Sequence, residues 1–179
     1  LLMRYNSGEL MSADSIHFPD SLMMRTKRLG RAVYGGGGIM PDYFVPLDTN
    51  KYTNYHRDLV RHGSILQATL RYIDDNRNEL KEKYPTMAEF NAKYEVDEQL
   101  LTMLRTQGEA DGINIAGGEE EYNNSLPQIT RQLKALLARD LWGTTEYLQI
   151  MNADNEVFNK ALELVKQRDI DALLMKQKK

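Results

Sequence analysis

The sequence predicts a mainly α fold, in which a short β-rich segment precedes a helical domain of five or six helices. Five of the 12 glycines fall between Gly30 and Gly38, and no proline follows Pro127. Glycine and proline interrupt regular structure, so the irregular segments belong to the front of the chain. Apolar residues recur at helical spacing only from Tyr52 onward. We therefore expect two domains, a β-rich region over residues 1–49 and a helical domain over residues 50–179.

The composition excludes several classes of protein. Hydrophobic residues make up 41% of the 179 residues and charged residues 27%, which supports a packed core and excludes a wholly disordered chain. The net charge of −3 lacks the cationic excess that neutralises phosphates, so we expect no nucleic-acid partner. The absence of cysteine excludes disulfides, thiol nucleophiles and zinc–thiolate sites. No apolar run approaches the ~20 residues of a transmembrane helix, and no segment has the pattern of a signal peptide.

Short strands are predicted in the front region. Residues 21–26 and 31–34 are β-favouring runs, and residues 27–30 form a plausible turn between them. Residues 43–45 are a third such run, with prolines on both sides. Because proline donates no hydrogen bond to a sheet, this third strand should be brief or lie at a sheet edge.

The helical domain begins with two helices separated by a glycine. Residues 52–62 form the first candidate helix, which Gly63 ends. Ser64 can then cap a second helix that extends to Tyr84, with apolar residues along one side. Pro85 ends it, because proline cannot continue a helix interior.

Capping residues place the next helices. Thr86 and Glu89 have the spacing of a capping box, and Asp97 can cap a helix over residues 98–107. Residues 108–118 are predicted to form a loop.

The last helices are predicted from similar signals. Ser125 and Gln128 suggest another capping box, with Pro127 in the first turn of its helix, where proline is tolerated. Asp154 is predicted to start the final helix. The residues expected on the buried side of that helix are Phe158, Ala161, Leu162 and Val165.

No catalytic constellation is visible. The sequence contains no G-x-S-x-G, no S-x-x-K and no H-E-x-x-H. His56 and His62 are six residues apart, so on a helix they point to opposite sides and do not share a metal, and we interpret both as surface or half-buried residues. His17 is interpreted in the same way. We therefore predict no catalytic, cofactor-binding or metal-binding residue, and no cofactor.

A glycine motif is the sharpest local signal, and its residues are Gly35, Gly36, Gly37, Gly38, Pro41 and Asp42. One interpretation is a phosphate cradle, since glycine lets backbone N–H groups approach an anion. However, no Lys-Ser or Lys-Thr follows, and Ile-Met-Pro is a poor opening for a helix. We favour a structural interpretation, in which a sharp reversal or a close crossing of strands leaves no room for a Cβ.

The acidic run Glu119, Glu120 and Glu121 also has two interpretations. It could form a metal or partner site. We favour a solvated helix start, where negative charge interacts well with the helix dipole.

The glycine motif also carries a family resemblance. Residues 30–45, Gly-Arg-Ala-Val-Tyr-Gly-Gly-Gly-Gly-Ile-Met-Pro-Asp-Tyr-Phe-Val, closely resemble a segment of the carboxy-terminal processing peptidases, also called tail-specific serine proteases. In that family a Gly-Gly-Ile-x-Pro-Asp segment lies downstream of the catalytic residues, and the form with four glycines is similar to that of Bacteroidetes-type members. Residues 18–21, 108–111 and 133–142 resemble the C-terminal extension of such proteins. Residues 1–49 would then complete the β-structure of a protease core.

The resemblance implies a serine-type endopeptidase with a Ser–Lys dyad, in which a buried neutral lysine takes the proton of the serine. In family order the dyad and a PDZ domain precede the glycine segment. The serines before Gly35 lack the lysine context of the family, and Lys27 lies in a predicted exposed turn. No catalytic residue can be carried over. We therefore expect a non-catalytic C-terminal fragment, inactive alone, and a start at Leu1 instead of methionine agrees with this expectation.

The resemblance also implies partners and a location. The partners would be the upstream protease core, its PDZ domain and the protein or peptide substrates of the whole enzyme, in the periplasm or cell envelope. Strands within residues 21–45 would expose unpaired edge groups, so we expect them to pair in a homodimer or to be supported by the helices. The alternative function is a stand-alone helical protein-interaction module.

Overall fold

A computed structural model of the chain describes residues 6–9, 11–12, 15–16, 18–35 and 43–166. The described residues contain seven α-helices and one two-stranded antiparallel sheet, so the predicted mainly α fold is confirmed. The chain divides into two compact units. We call Asn50–Asn155 the helical unit, and Leu1–Thr49 together with Glu156–Lys179 the hairpin unit.

The sheet of the hairpin unit is a short β-hairpin. Strand β1 (Met23–Arg25) pairs with strand β2 (Ala32–Tyr34), and Met24 lies opposite Val33. In the turn between them Gly30 has φ +62°, a left-handed conformation that glycine adopts without strain. The turn and both predicted strands are confirmed, except at the start of the first: Asp20–Leu22 form a short 3-10 helix, so β1 begins at Met23 and not at residue 21.

The third predicted strand, at residues 43–45, is wrong. These residues pair with no strand in the described part of the chain. Pro46 follows at once and has no N–H to donate to a ladder. The ring of Tyr43 instead lies 4.9 Å from the ammonium of Lys160, in a cation–π contact.

Within residues 43–166 seven helices follow, six in the helical unit and the seventh in the hairpin unit. Their bounds are α1 Asn54–His62, α2 Ser64–Lys83, α3 Met87–Lys93, α4 Glu98–Ala110, α5 Gly118–Leu141, α6 Thr144–Asn152 and α7 Glu156–Val165. Thr53, Thr86 and Asp97 cap α1, α3 and α4, and each side chain accepts a hydrogen bond from the backbone N–H three residues later. The caps predicted at Thr86 and Asp97 are thereby confirmed.

Ser64 does not cap α2. It is the first residue of the helix, and Gly63 before it has φ 77° and both ends α1 and opens α2. The hydroxyl of Ser64 is buried and donates to Asp111 Oδ2 at 2.5 Å. The Ser64 hydroxyl therefore bonds to a carboxylate that is distant in the sequence and not to the free N–H groups at the start of α2.

The predicted start of α5 at Ser125 is also wrong. The helix begins at Gly118, directly before the three glutamates, so the interpretation of that acidic run as a helix start is confirmed. Ser125 donates to the carbonyl of Glu121 one turn earlier, at 2.6 Å. Pro127 consequently lies inside the helix and not in its first turn. The loop before α5 is shorter than predicted, because α4 extends to Ala110.

The core of the helical unit is apolar and continuous. An aromatic cluster occupies part of it: the ring of the fully buried Phe90 stacks on Tyr94 at 4.5 Å and lies 5.2 Å from Trp142. Tyr84 meets both Phe90 and Tyr94 edge-on. The other side chains with at most 1% of their surface exposed include Leu59, Ile65, Ile73, Leu100, Ile129, Leu133 and Leu137.

The last helix, α7, does not bury the residues expected inside it. Phe158, Leu162 and Val165 are 44%, 41% and 68% exposed, and Ala161 is exposed as well. The predicted start at Asp154 is wrong too, since α7 begins at Glu156 and Asp154 forms ion pairs within the helical unit. Amphipathic spacing identified the helix, but it could not show whether any layer covers its apolar side.

Candidate functional site

The structure describes only one residue of the glycine motif, Gly35. Its N–H donates to the carbonyl of Leu22 at 3.0 Å, which adds one hydrogen bond to the hairpin beyond β2. The sharp reversal or close crossing of strands that we favour therefore stays a prediction, and the phosphate cradle stays the disfavoured alternative. The motif residues outside the described residues are Gly36, Gly37, Gly38, Pro41 and Asp42.

His56 is structural and is more buried than the sequence suggests. It is 5% exposed, its ring stacks on Tyr52 at 5.1 Å, and its Nε2 lies 2.9 Å from Gln132 Oε1 on α5. Because that oxygen can only accept, Nε2 carries the proton, and Nδ1 has no hydrogen-bond partner. Burial lowers the pKa of this histidine, which keeps it neutral. His62, by contrast, is exposed, and His17 lies outside the described residues.

Glu121 joins α1 to the start of α5. Its carboxylate accepts hydrogen bonds from the backbone N–H of Gly117 at 2.8 Å and of Tyr55 at 3.0 Å. These bonds favour the ionised form and lower the pKa of the glutamate. Beside it, the hydroxyls of Thr53 and Ser125 are 2.6 Å apart. This cluster satisfies backbone groups at two helix starts, so its role is structural.

Ser64 and Asp111 are the described pair that comes closest to a nucleophile with a base. The Asp111 carboxylate accepts from Ser64 and also from Gln107 Nε2 at 3.0 Å. Both bonds lower the pKa of Asp111, and a carboxylate of low pKa is a weak base. The pair therefore joins the end of α4 to the start of α2, and it does not activate the serine. No group of three potential metal ligands occurs among the described residues.

A groove of about 540 Å³ lies in the helical unit. It lies between the chain segment that follows α3, one side of α5 and the end of α6. Val96, Pro127 and Ile150 give it an apolar lining, while Arg131 and Lys134 are its two cations. A concave site with an apolar lining and a few convergent polar groups is typical of small-molecule binding.

Lys134 is fixed inside this groove by backbone carbonyls. Its ammonium donates to the carbonyl oxygens of Asn91 and Tyr94, both at 2.9 Å. Burial lowers the pKa of the lysine, and the negative charge of Glu95 opposes that effect. The carbonyls position the ammonium without neutralising it.

Arg131 lies one helical turn before Lys134 on α5. Its Nη1 donates to Gln128 Oε1 at 3.0 Å and also to the carboxylate of Asp154. Lys51 binds the same carboxylate, with its Nζ 2.9 Å from Oδ2. These two cations lower the pKa of Asp154.

No motif of the sequence marks Lys134 or Arg131 as a site residue, and neither was predicted. A signal existed, since two cations three residues apart share one side of a helix. However, the same spacing is common on solvated helix surfaces. The groove itself depends on residues 91–96 and on the end of α6, which no local pattern joins to α5.

Comparisons with other proteins place one match within the helical unit. Residues 55–143 match a family of unknown function (DUF8443), a stretch that begins in α1 and ends just after α5. No curated protein and no solved structure matches the chain. Among the described residues, no helix is both long enough and apolar enough to cross a membrane.

Proposed function

We propose that this chain is the non-catalytic C-terminal region of a tail-specific serine-type peptidase, whose Ser–Lys dyad lies upstream in the same protein. The observation that carries the proposal is the β-hairpin beside the glycine motif. All of β1 is exposed and β2 is only partly buried, with Met23 and Met24 42% and 66% exposed. A hairpin of two three-residue strands has only marginal stability alone, so we expect further strands to pair with it and to cover these side chains. A protease core that ends at the glycine motif would supply them.

The helical unit would then assist the peptidase without taking part in its chemistry. Its polar clusters, at Glu121 and at Asp111, satisfy backbone and side-chain groups of the fold. A stable unit placed after the core could shape the access of substrates or support assembly. The partners of this region are therefore the upstream core, its PDZ domain and the peptide substrates of the enzyme, in the periplasm or cell envelope.

The upstream reading frame gives the first test. A PDZ-like domain and a Ser–Lys pair before residue 1 are expected, and their absence would contradict the proposal. The second test deletes residues 50–179 from the full enzyme. We expect loss of peptide cleavage, of assembly in light scattering or of thermal stability, and no change in any of the three would contradict a supporting role.

An active-site probe gives a further check on the isolated chain. A fluorophosphonate should label the full enzyme at its catalytic serine and should leave this chain unlabelled. Labelling of this chain would show that it contains an activated serine. Light scattering on the same sample tests whether the hairpin pairs in a homodimer when the core is missing.

The second candidate function is a stand-alone helical interaction module. The observation that favours it is the continuous core of the helical unit. This unit also contains the whole stretch that matches the family of unknown function. The two candidates differ in what they require upstream. A gene without a peptidase core before the glycine motif would favour the module.

A further inference from the structure

We propose that the groove of the helical unit binds a small organic carboxylate that carries an apolar chain. The inference goes beyond the proposed function, because every residue that it uses lies in the helical unit and none depends on an upstream peptidase. The volume of about 540 Å³ falls within the roughly 300–1,000 Å³ of small-molecule sites.

Lys134 supplies the first donor. An ammonium has three N–H groups, and two of them bind the carbonyls of Asn91 and Tyr94. The third is left for a ligand. Because the two partners are neutral, the positive charge is held in a partly desolvated place, and an anion beside it would stabilise it.

Arg131 supplies the second donor group. Its hydrogen bonds to Gln128 and Asp154 both leave from Nη1. Its Nη2 and Nε are therefore left for a ligand, and the side chain is 28% exposed. A guanidinium edge with two N–H groups matches the two oxygens of a carboxylate.

The charge around the groove limits the ligand to a monoanion. In the contacts described for these cations, Lys51 and Arg131 share the carboxylate of Asp154, and Glu95 acts on Lys134. One carboxylate from the ligand would neutralise the excess positive charge of these groups. A phosphate monoester, with nearly two negative charges at neutral pH, would exceed it and would meet repulsion from both acids.

The apolar lining selects what is attached to the carboxylate. Val96, Pro127 and Ile150 line the same groove as the two cations. A hydrocarbon chain can displace water from these side chains, which an inorganic anion cannot do. A peptide end with an apolar residue and a short fatty acid share this chemistry.

The wild-type chain gives the decisive test by isothermal titration calorimetry. N-acetylleucine and octanoate are titrated separately, and N-acetylleucinamide serves as the uncharged match of the first. We expect saturable binding of at least one acid, and binding of the amide weaker than that of N-acetylleucine by about tenfold or more. Binding of N-acetylleucine alone points to peptide ends, and binding of octanoate alone points to lipids. Failure of both acids to bind would overturn the proposal, and so would binding of N-acetylleucine that is no tighter than that of its amide.

Variants then locate the site. Lys134→Met should weaken binding of the acid about tenfold or more, whereas Lys93→Met should bind as the wild type does. Lys93 is a matched control, because its side chain is 67% exposed on α3 and does not line the groove. Equal binding by both variants would place the acid elsewhere and overturn the assignment. The comparison of acid with amide uses no variant, so it decides the matter even if Lys134→Met does not fold.

Discussion

Phe90 in the helical unit and Phe158 in the hairpin unit show how differently the two units are built. Phe90 is fully buried among three other aromatic rings, whereas Phe158 is 44% exposed on an amphipathic helix. The same residue type therefore contributes to a packed core in one unit and to an apolar surface in the other. The difference teaches that the helical unit buries many of its large apolar side chains, whereas the hairpin unit keeps several of them largely exposed, among them Met24 at 66% and Val165 at 68%.

The largest expected effect follows directly from this comparison. Phe90→Ala should lower the free energy of unfolding by about 3–5 kcal/mol, because it leaves a cavity in the aromatic cluster. Phe158→Ala, its matched control, should lower it by less than about 1 kcal/mol. Urea unfolding followed by circular dichroism measures both. Similar losses for the two variants would show that the apolar side of α7 is covered in solution.

A smaller effect separates two helix caps within the helical unit. Thr53 and Thr86 each accept an N–H bond from three residues later, but Thr53 also bonds to the buried Ser125. We expect Thr53→Ala to cost about 1–2 kcal/mol and Thr86→Ala about 0.5–1 kcal/mol. Chemical unfolding of the two variants at one pH gives the comparison. Equal costs would mean that the contact between Thr53 and Ser125 adds nothing to the cap.

A still smaller effect concerns pH. Folding lowers the pKa of His56 below its usual 6.5, so the unfolded chain takes up this proton first as the pH falls. The contribution of His56 is thus fully present above pH 6.5 and is lost as the pH falls through its folded pKa. We expect the free energy of unfolding to decrease between pH 6.5 and about pH 5.

Two histidine variants on α1 test that dependence. His56→Gln should remove the decrease, since a glutamine does not titrate. His62→Gln should keep it, because His62 is exposed at the end of the same helix. A series of unfolding curves from pH 5 to pH 8 measures both. If His56→Gln retains the slope of the wild type, another group is responsible.

The smallest effect is expected from removing the hairpin unit. A chain limited to residues 50–155 keeps the continuous core and every polar cluster described above. Its Tm should stay within about 5 °C of the full chain, equivalent to about 1 kcal/mol. Differential scanning calorimetry gives this comparison. A larger decrease would show that the helical unit is not independent.

Local chemistry made part of this fold predictable from the sequence. The caps at Thr86 and Asp97 and the turn at Gly30 follow from groups a few residues apart. The prediction that α5 starts at Ser125 was wrong, because the hydroxyl of Ser125 does not cap a helix. It contacts the hydroxyl of Thr53, 72 residues away. A capping signal in a sequence does not show whether the hydroxyl is used by a distant side chain instead.

The candidate groove could not be predicted from local sequence patterns. The carbonyls that position Lys134 belong to residues 43 and 40 positions earlier in the chain. The acid that binds Arg131 lies on a loop 23 residues later. The prediction that α7 buries its apolar side was wrong for a related reason, since amphipathic spacing shows which side is apolar and not what covers it. The structural role of the glycine motif and membership of the family that it resembles stay predictions.

The position of Trp142 gives the protein an internal optical reporter. It is the single tryptophan of the chain, and its ring lies 5.2 Å from that of Phe90. The ammonium of Lys134 lies 5.9 Å from the same phenylalanine ring. Indole emission responds to the polarity of its surroundings, so it will follow the opening of the aromatic cluster while the hairpin stays spectrally silent. A carboxylate that binds Lys134 would change the electric field at the Phe90 ring, which neighbours the indole, and a shift in emission would reveal binding without a label.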